Sequence, residues 1–172
     1  MSKARRIAFC AMFIALALVL AIFESYIPVG LIIPVPGIKL GLANIVTVFA
    51  VVLLSPWDAM LIVLVRCLVM GLFTGPVPLL FSLSGSILAF AVMKVLSLGL
   101  DRTFSLIGIS MGGAVAHNIG QILMAVFLMN STGLLFSYLP LLMAVALLTG
   151  ALTGTAAIPV IHLIRRSWIR PA

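Results

Sequence analysis

The segment HNIGQ places three polar side chains within five residues of an otherwise apolar stretch. His117 and Gln121 are four residues apart and therefore share one face of a helix, while Asn118 lies about 100° round from His117. All three side-chain types donate hydrogen bonds, so together they can bind an anionic or heterocyclic ligand. The alternative is hydrogen bonding between helices with no ligand, because such contacts are common between membrane helices.

A basic residue, Arg66, lies near the middle of a second apolar stretch. An arginine at the centre of a membrane helix costs about 2.5–3.5 kcal/mol on insertion scales, so another feature has to offset it. Three explanations stay open: an ion pair with Glu24, a bound anion, or a side chain that snorkels past a short helix.

The segment PVPGIKLGLANIV interrupts the apolar pattern with two prolines and a glycine and then places Lys39 and Asn44. The break at 26–41 predicts a non-helical loop, with both residues at the outer mouth of a helix bundle. A plain interfacial charge is the alternative for Lys39. We predict that six residues line one outward-facing pocket under this loop: Lys39, Asn44, Arg66, His117, Asn118 and Gln121. One shared polar cavity would hydrate all six, each of which is costly in lipid.

The three acidic residues, Glu24, Asp58 and Asp101, lie far apart in the sequence. They form no paired-carboxylate motif, and we find no phosphate-binding loop or nucleophile elbow. Cys10 and Cys67 fit no metal-binding spacing and are expected to be small buried hydrophobic residues. We therefore expect a binding protein that is not an enzyme and that uses no metal or cofactor. Two basic groups against Glu24 favour an anionic or phosphate-bearing ligand.

The composition is that of an integral membrane protein. Of the 172 residues, 65% are hydrophobic and 8% are charged, whereas a soluble domain has roughly 25% charged residues. We expect one all-α domain over residues 1–172, embedded in the lipid bilayer. The net charge of +7 does not indicate a nucleic-acid partner, because the basic residues lie mainly at the ends of the apolar stretches.

Proline and glycine clusters divide the chain into six predicted transmembrane helices. The predicted ranges are about 5–25, 42–54, 57–73, 78–98, 104–130 and 138–166. The second and third are short for a hydrocarbon core of about 30 Å, so they must be shallow, kinked or shielded by neighbours. Small residues recur every four positions, which predicts tight helix packing, at Gly108, Gly112, Ala116 and Gly120 and at Ala146, Gly150 and Gly154.

An even number of helices places both termini on one side of the membrane. That side then carries eight of the ten basic residues, Lys3, Arg5, Arg6, Lys94, Arg102, Arg165, Arg166 and Arg170. The positive-inside rule predicts that this side is cytoplasmic, which gives a multi-pass protein of the cell (cytoplasmic) membrane with the N-in/C-in orientation. The first helix also resembles a cleaved signal peptide, but it is long enough to span the membrane.

Several of these features resemble a known group of proteins. PGIKLGLANI before a short helix closed by SP, six predicted helices in 172 residues and the segment AMFIA at 11–15 resemble the substrate-binding S components of energy-coupling factor (ECF) transporters. KLGLANIV together with GGAVAHNIGQ is similar to a narrower family, described both as "heptaprenyl diphosphate synthase component I" and as "Gx transporter".

The likeness to S components implies a six-helix bundle that captures a small vitamin-like molecule from outside, under the loop between helices 1 and 2. Ala11 and Ala15 match the AxxxA element that contacts a membrane coupling subunit. Two ATPase subunits would then drive toppling of the bundle in the membrane.

The synthase description implies an alternative function. Chain elongation of prenyl diphosphates uses two aspartate-rich motifs that hold magnesium, whereas Asp58 and Asp101 are solitary. The alternative is therefore a non-catalytic membrane component associated with heptaprenyl diphosphate synthase, in the biosynthesis of the menaquinone side chain. A purely structural membrane subunit is the third possibility.

Overall fold

The structure of the protein, a computed structural model, describes residues 3–27 and 43–169, with side chains to residue 166. Six α-helices make up the described chain: α1 (Lys3–Ser25), α2 (Asn44–Leu53), α3 (Pro56–Thr74), α4 (Pro76–Ser97), α5 (Leu106–Met129) and α6 (Gly133–Ile169). The described residues contain no β-strand, and a single bridge joins Leu100 to Phe104. The predicted all-α fold is confirmed.

Local signals in the sequence fix several helix boundaries. The Ser55 hydroxyl accepts a hydrogen bond from the Asp58 backbone N–H at the start of α3, and Pro56 occupies the first turn. Gly75 has a φ of 93°, which allows the sharp turn between α3 and α4. Asn130 adopts the left-handed conformation at the end of α5.

Helix α6 differs from its predicted range. It begins at Gly133 rather than near residue 138 and continues for 37 residues with Pro140 and Pro159 inside it. The predicted range of 138–166 already contained both prolines, and the observed helix begins about five residues earlier. In a packed membrane bundle, neighbouring groups can compensate the backbone hydrogen bonds that proline removes.

Five of the six helices, all except α2, are long and apolar enough to cross a membrane. Helix α2 has 10 residues, which correspond to about 15 Å, half the thickness of the hydrocarbon core. Seven of its residues are buried, and it packs against each of the other five helices. Shielding by neighbours, one of the three predicted arrangements, therefore accounts for this short helix.

Ion pairs establish the relative directions of the helices. Arg6 of α1 is bonded to Asp58 of α3, so these two helices begin at the same end of the bundle. Arg165 of α6 lies 3.6 Å from Asp101 in the turn between α4 and α5. Both ion pairs lie at one end of the bundle, which we call the basic end. It contains the first turns of α1 and α3, the α4–α5 turn and the last part of α6. Its described basic residues are Lys3, Arg5, Arg6, Lys94, Arg102, Arg165 and Arg166.

Glycines bring the backbones of α4, α5 and α6 close together. A β-carbon at Gly120 would lie 2.6 Å from the carbonyl oxygen of Ser84 on α4. On α6, a β-carbon at Gly150 would lie 2.6 Å from the Met111 Cα atom. These contacts confirm close packing at the two glycines. Gly108 is different, because a β-carbon there would meet Ser105 next to its own helix at an ordinary 3.6 Å.

Candidate functional site: a buried polar cavity in the bundle

A small cavity lies inside the bundle, and it has polar groups from several helices on its walls. Its volume is about 10 Å³, enough for roughly one water molecule. The lining residues come from α1, from the residue before α2, and from α3, α4 and α5: Ala21, Glu24, Ala43, Arg66, Met70, Ser82 and His117. Because the cavity is this small, a larger ligand would require its walls to move apart.

Arg66 provides the positive charge on the cavity wall. Its side chain is 5% exposed, and Nη2 donates hydrogen bonds to the Ser86 hydroxyl and to the Cys67 sulfur at 3.7 Å. The two ion pairs found among the described residues do not include Arg66. A serine of α4 therefore positions the guanidinium group, while Glu24 lines the same cavity from α1.

The serines of α4 are functional candidates that the sequence reasoning missed. Ser82 and Ser86 are both buried and are four residues apart, so they share the helix face that meets α3. Ser82 lines the cavity, and its hydroxyl lies 3.4 Å from the sulfur of Cys67. The signal available in the sequence is the spacing of the small polar residues in FSLSGS, which are not ionisable and so are less conspicuous than Arg66 or His117.

Gly85 creates the space that His117 occupies on the cavity wall. His117 is 3% exposed. A β-carbon at Gly85 would lie 2.8 Å from the carbonyl oxygen of His117 and 2.9 Å from its ring atoms Nδ1 and Cε1. The imidazole therefore packs directly against the backbone of α4. A larger residue at position 85 would have to displace the ring from its present position.

The polar residues of HNIGQ have different surroundings. Asn118 donates from Nδ2 to the carbonyl oxygen of Leu142 on α6 at 2.9 Å, so it joins two helices, as the alternative to ligand binding predicted. His117 lines the cavity. Gln121 is fully buried and lies on the same face of α5 as His117.

Asn44 is the first residue of α2 and lies one residue from the cavity wall at Ala43. It is 2% exposed, and neither Oδ1 nor Nδ2 has a hydrogen-bond partner in the described part of the chain. Lys39 lies outside the described residues. The structure thus brings Arg66 and His117 onto one cavity with Asn44 close to it, and the six-residue pocket remains a prediction.

A second, open groove of about 510 Å³ lies at the basic end between α1 and α3. Its walls include Ala11, Ile14 and Leu61, with Arg6 and Asp58 at the charged part. Ala11 and Ala15 are exposed, whereas Phe13 and Ala17 on the opposite face of α1 are buried. Among the described helices, α1 packs against α2 and α3, so the face that carries both alanines is available to a partner or to lipid.

The comparisons with known proteins give one informative result for this chain. The model of the family described as "Heptaprenyl diphosphate synthase component I" matches residues 13–159. The matched range includes each lining residue of the buried cavity. No curated protein and no solved structure matches the chain.

Proposed function

The chain belongs to the heptaprenyl diphosphate synthase component I family, and we propose that it is a membrane substrate-binding subunit of an ECF-type transporter. It takes up a small vitamin-like molecule, or an anionic or phosphate-bearing one. The bundle binds this molecule from outside and passes it to a membrane coupling subunit, and ATPase subunits supply the energy.

One observation carries this proposal. Arg66, Glu24, His117 and Ser82 line a common cavity inside a bundle of apolar helices. Ionisable groups inside membrane helices are costly, and they characteristically mark a substrate or ion pathway. Glycine contacts bring α4, α5 and α6 close together without help from these ionisable groups. Ligand binding therefore explains why charged groups are retained at this depth.

The proposed topology has six crossings with both termini in the cytoplasm. The Arg6–Asp58 ion pair supports it, because α1 and α3 begin at the same end and the chain between them must therefore return to that end. Helix α2 ends at Leu53, three residues before α3 begins, so it supplies the last part of this return. The concentration of basic residues at the basic end favours a cytoplasmic location for it.

The proposed coupling surface is the exposed face of α1 that carries Ala11 and Ala15. Small residues at this spacing permit close approach of a partner helix. The open groove of about 510 Å³ beside Ala11 gives such a helix additional apolar contact area.

The alternative, a non-catalytic membrane component associated with heptaprenyl diphosphate synthase, has the family description in its favour. Catalysis by this chain itself has little support from the residues. Asp58 is paired with Arg6, Asp101 lies beside Arg165 and Glu24 lines the cavity. Magnesium bound to a diphosphate is normally held by carboxylates that lie together.

Mass spectrometry of the detergent-purified protein is the primary test of the transporter proposal. We expect a small molecule to co-purify with the wild type and to be depleted in the Arg66→Ala and His117→Ala variants, while both variants stay folded. If Arg66 mainly pairs with Glu24, then Arg66→Ala instead lowers stability, and Glu24→Ala together with Arg66→Ala restores it. Undiminished ligand occupancy in both single variants would contradict the assignment of this cavity.

An activity assay separates the two candidate functions. We expect the purified chain, supplied with magnesium and allylic diphosphates, to show no prenyl transfer. Turnover that disappears in the Asp58→Asn or Asp101→Asn variant would favour the synthase alternative over transport.

A further inference from the structure

We propose that the N-terminus of α2, together with Arg66 and Asn44, forms a seat for an oxyanion, meaning the carboxylate or phosphate group of the ligand. This inference rests on the proposed function, because it identifies which part of the transported molecule the bundle recognises and where that part binds.

The start of α2 places the backbone N–H groups of its first turn inside the protein, and one of them, the Val46 N–H, donates to the Ala43 carbonyl oxygen at 3.2 Å. The first N–H groups of a helix lack partners within the helix, and they carry about half a positive charge. Ala43 occupies the N-cap position and provides no side-chain acceptor for them. Because α2 is 10 residues long and ends at the basic end, its first residue lies about 15 Å inside the bundle.

The side chain of Asn44 is a second and independent observation that points to a ligand here. This residue is 2% exposed, and within the described chain neither its carboxamide oxygen nor its nitrogen has a hydrogen-bond partner. Leaving a buried polar group unsatisfied is unfavourable, so such groups are normally paired in a native protein. The Asn44 Nδ2 group is a donor of the kind that an oxyanion accepts from.

Arg66 supplies the charge that completes the seat. It lines the same cavity as Ala43, which brings a guanidinium group and a helix N-terminus to one small space. Only Nη2 donates to the described residues, to Ser86 and Cys67. A guanidinium group has five N–H donors in a fork that matches the oxygens of a carboxylate or phosphate. Helix N-termini bind the same groups.

The cavity has to enlarge before an anion can enter, and α1 is the wall best suited to move. Among the described helices, α1 packs against α2 and α3, and only 28% of its apolar span is buried. Glu24 is located on α1 and lines the cavity. An outward shift of this end of α1 therefore removes a carboxylate from the neighbourhood of the seat while it makes room for the ligand.

The test uses the detergent-purified full chain, with inorganic phosphate and formate as probes. Thermal unfolding is followed while either anion replaces chloride at constant ionic strength. We expect the midpoint of the wild type to rise with anion concentration, in proportion to its logarithm once the concentration exceeds the dissociation constant. Arg66→Gln should weaken the apparent affinity at least about tenfold, because charge-assisted hydrogen bonds are lost. Arg102→Gln, which removes an exposed cation at the basic end, is the matched control and should leave the affinity within about twofold.

A second variant keeps the proposal testable if Arg66→Gln does not fold. Asn44→Asp is nearly isosteric and places a carboxylate at the N-terminus of α2. If the seat is correctly placed, this variant has a higher midpoint without any added anion and loses the response to phosphate and formate. A lower midpoint would show that the local potential is not positive and would overturn the proposal. So would a wild type that phosphate and formate stabilise no more than chloride does.

The two proposals fail in distinguishable ways. If a small molecule co-purifies and depends on His117 while no anion response is measured, the ligand site stands and the oxyanion seat is wrong. If no molecule co-purifies and the anion response is also absent, both proposals are wrong.

Discussion

Arg6 and Asp58 form a bidentate ion pair that joins the first turn of α1 to the first turn of α3. Arg6 Nη2 lies 2.6 Å from Oδ1 and Nε lies 2.7 Å from Oδ2 of the aspartate. Ser55 also donates to Oδ2 at 2.8 Å. The same carboxylate therefore receives the α1 arginine and the hydroxyl that caps α3, which fixes the starting points of these two helices relative to each other.

Exchanging the two charges tests this connection. We expect Arg6→Asp alone and Asp58→Arg alone to lower the thermal midpoint, because each places like charges opposite one another. The double exchange should recover much of the loss, as a pairwise interaction requires. About half of the Arg6 side chain is exposed, so high salt should reduce the difference between the variants. If the double variant loses as much stability as the two single variants lose together, the ion pair does not hold the two helices in place.

Cysteine labelling tests the proposed membrane orientation. Both native cysteines are buried, so the background in intact cells should be low. We expect a membrane-impermeant maleimide to label Lys39→Cys and Ser131→Cys from outside, and to label Arg102→Cys only after permeabilisation. The reverse pattern would invert the orientation. Labelling of Ser131→Cys and Arg102→Cys from the same side would contradict the crossing by α5.

Much of the fold was predictable because helix boundaries depend on local chemistry. Ser55-Pro56 caps α3 and Gly75-Pro76 separates α3 from α4, and both signals can be read directly from the sequence. The start of α6 was predicted near 138, about five residues too late, because Gly133 was counted with the break that follows α5. A glycine can lie in a turn or begin a helix, and the local sequence alone does not decide between the two.

The candidate site was predictable in part, for a related physical reason. An ionisable residue in an apolar stretch is conspicuous, so Arg66 and His117 were identified, and both line the cavity. Ser86 and the N-terminus of α2 were missed, because a serine or a backbone amide has no such signal. Their place at the site depends on which helix faces pack against each other. Helical periodicity predicts the apolar and polar faces of a single helix, but it does not show which neighbouring helix each face contacts.

Gly85 provides a direct test of whether the position of His117 matters. We expect Gly85→Val to destabilise the protein by about 1–3 kcal/mol, as overpacking in a tight core does, and to remove the co-purifying ligand. Gly108→Ala on α5 is the matched control, since its β-carbon would make only an ordinary contact at 3.6 Å. That variant should keep its ligand and be equally or slightly more stable, by up to about 1 kcal/mol. Full ligand occupancy in a folded Gly85→Val protein would remove His117 from the site.

The face of α1 that carries Ala11 and Ala15 is the proposed contact with a membrane coupling subunit. Close approach of two helices requires small residues at the contact, so Ala11→Trp together with Ala15→Trp should abolish co-purification with a coupling subunit. The bundle itself should remain folded, because both positions are exposed in the isolated chain. Leu72→Trp serves as the control, since it is an exposed site on α3 and should leave the complex intact. The measurement is the amount of coupling subunit retained on an affinity-tagged chain, with the unfolding midpoint recorded for each variant. Retention of the partner by the double variant would contradict docking through this face and weaken the proposed membership of an ECF-type complex.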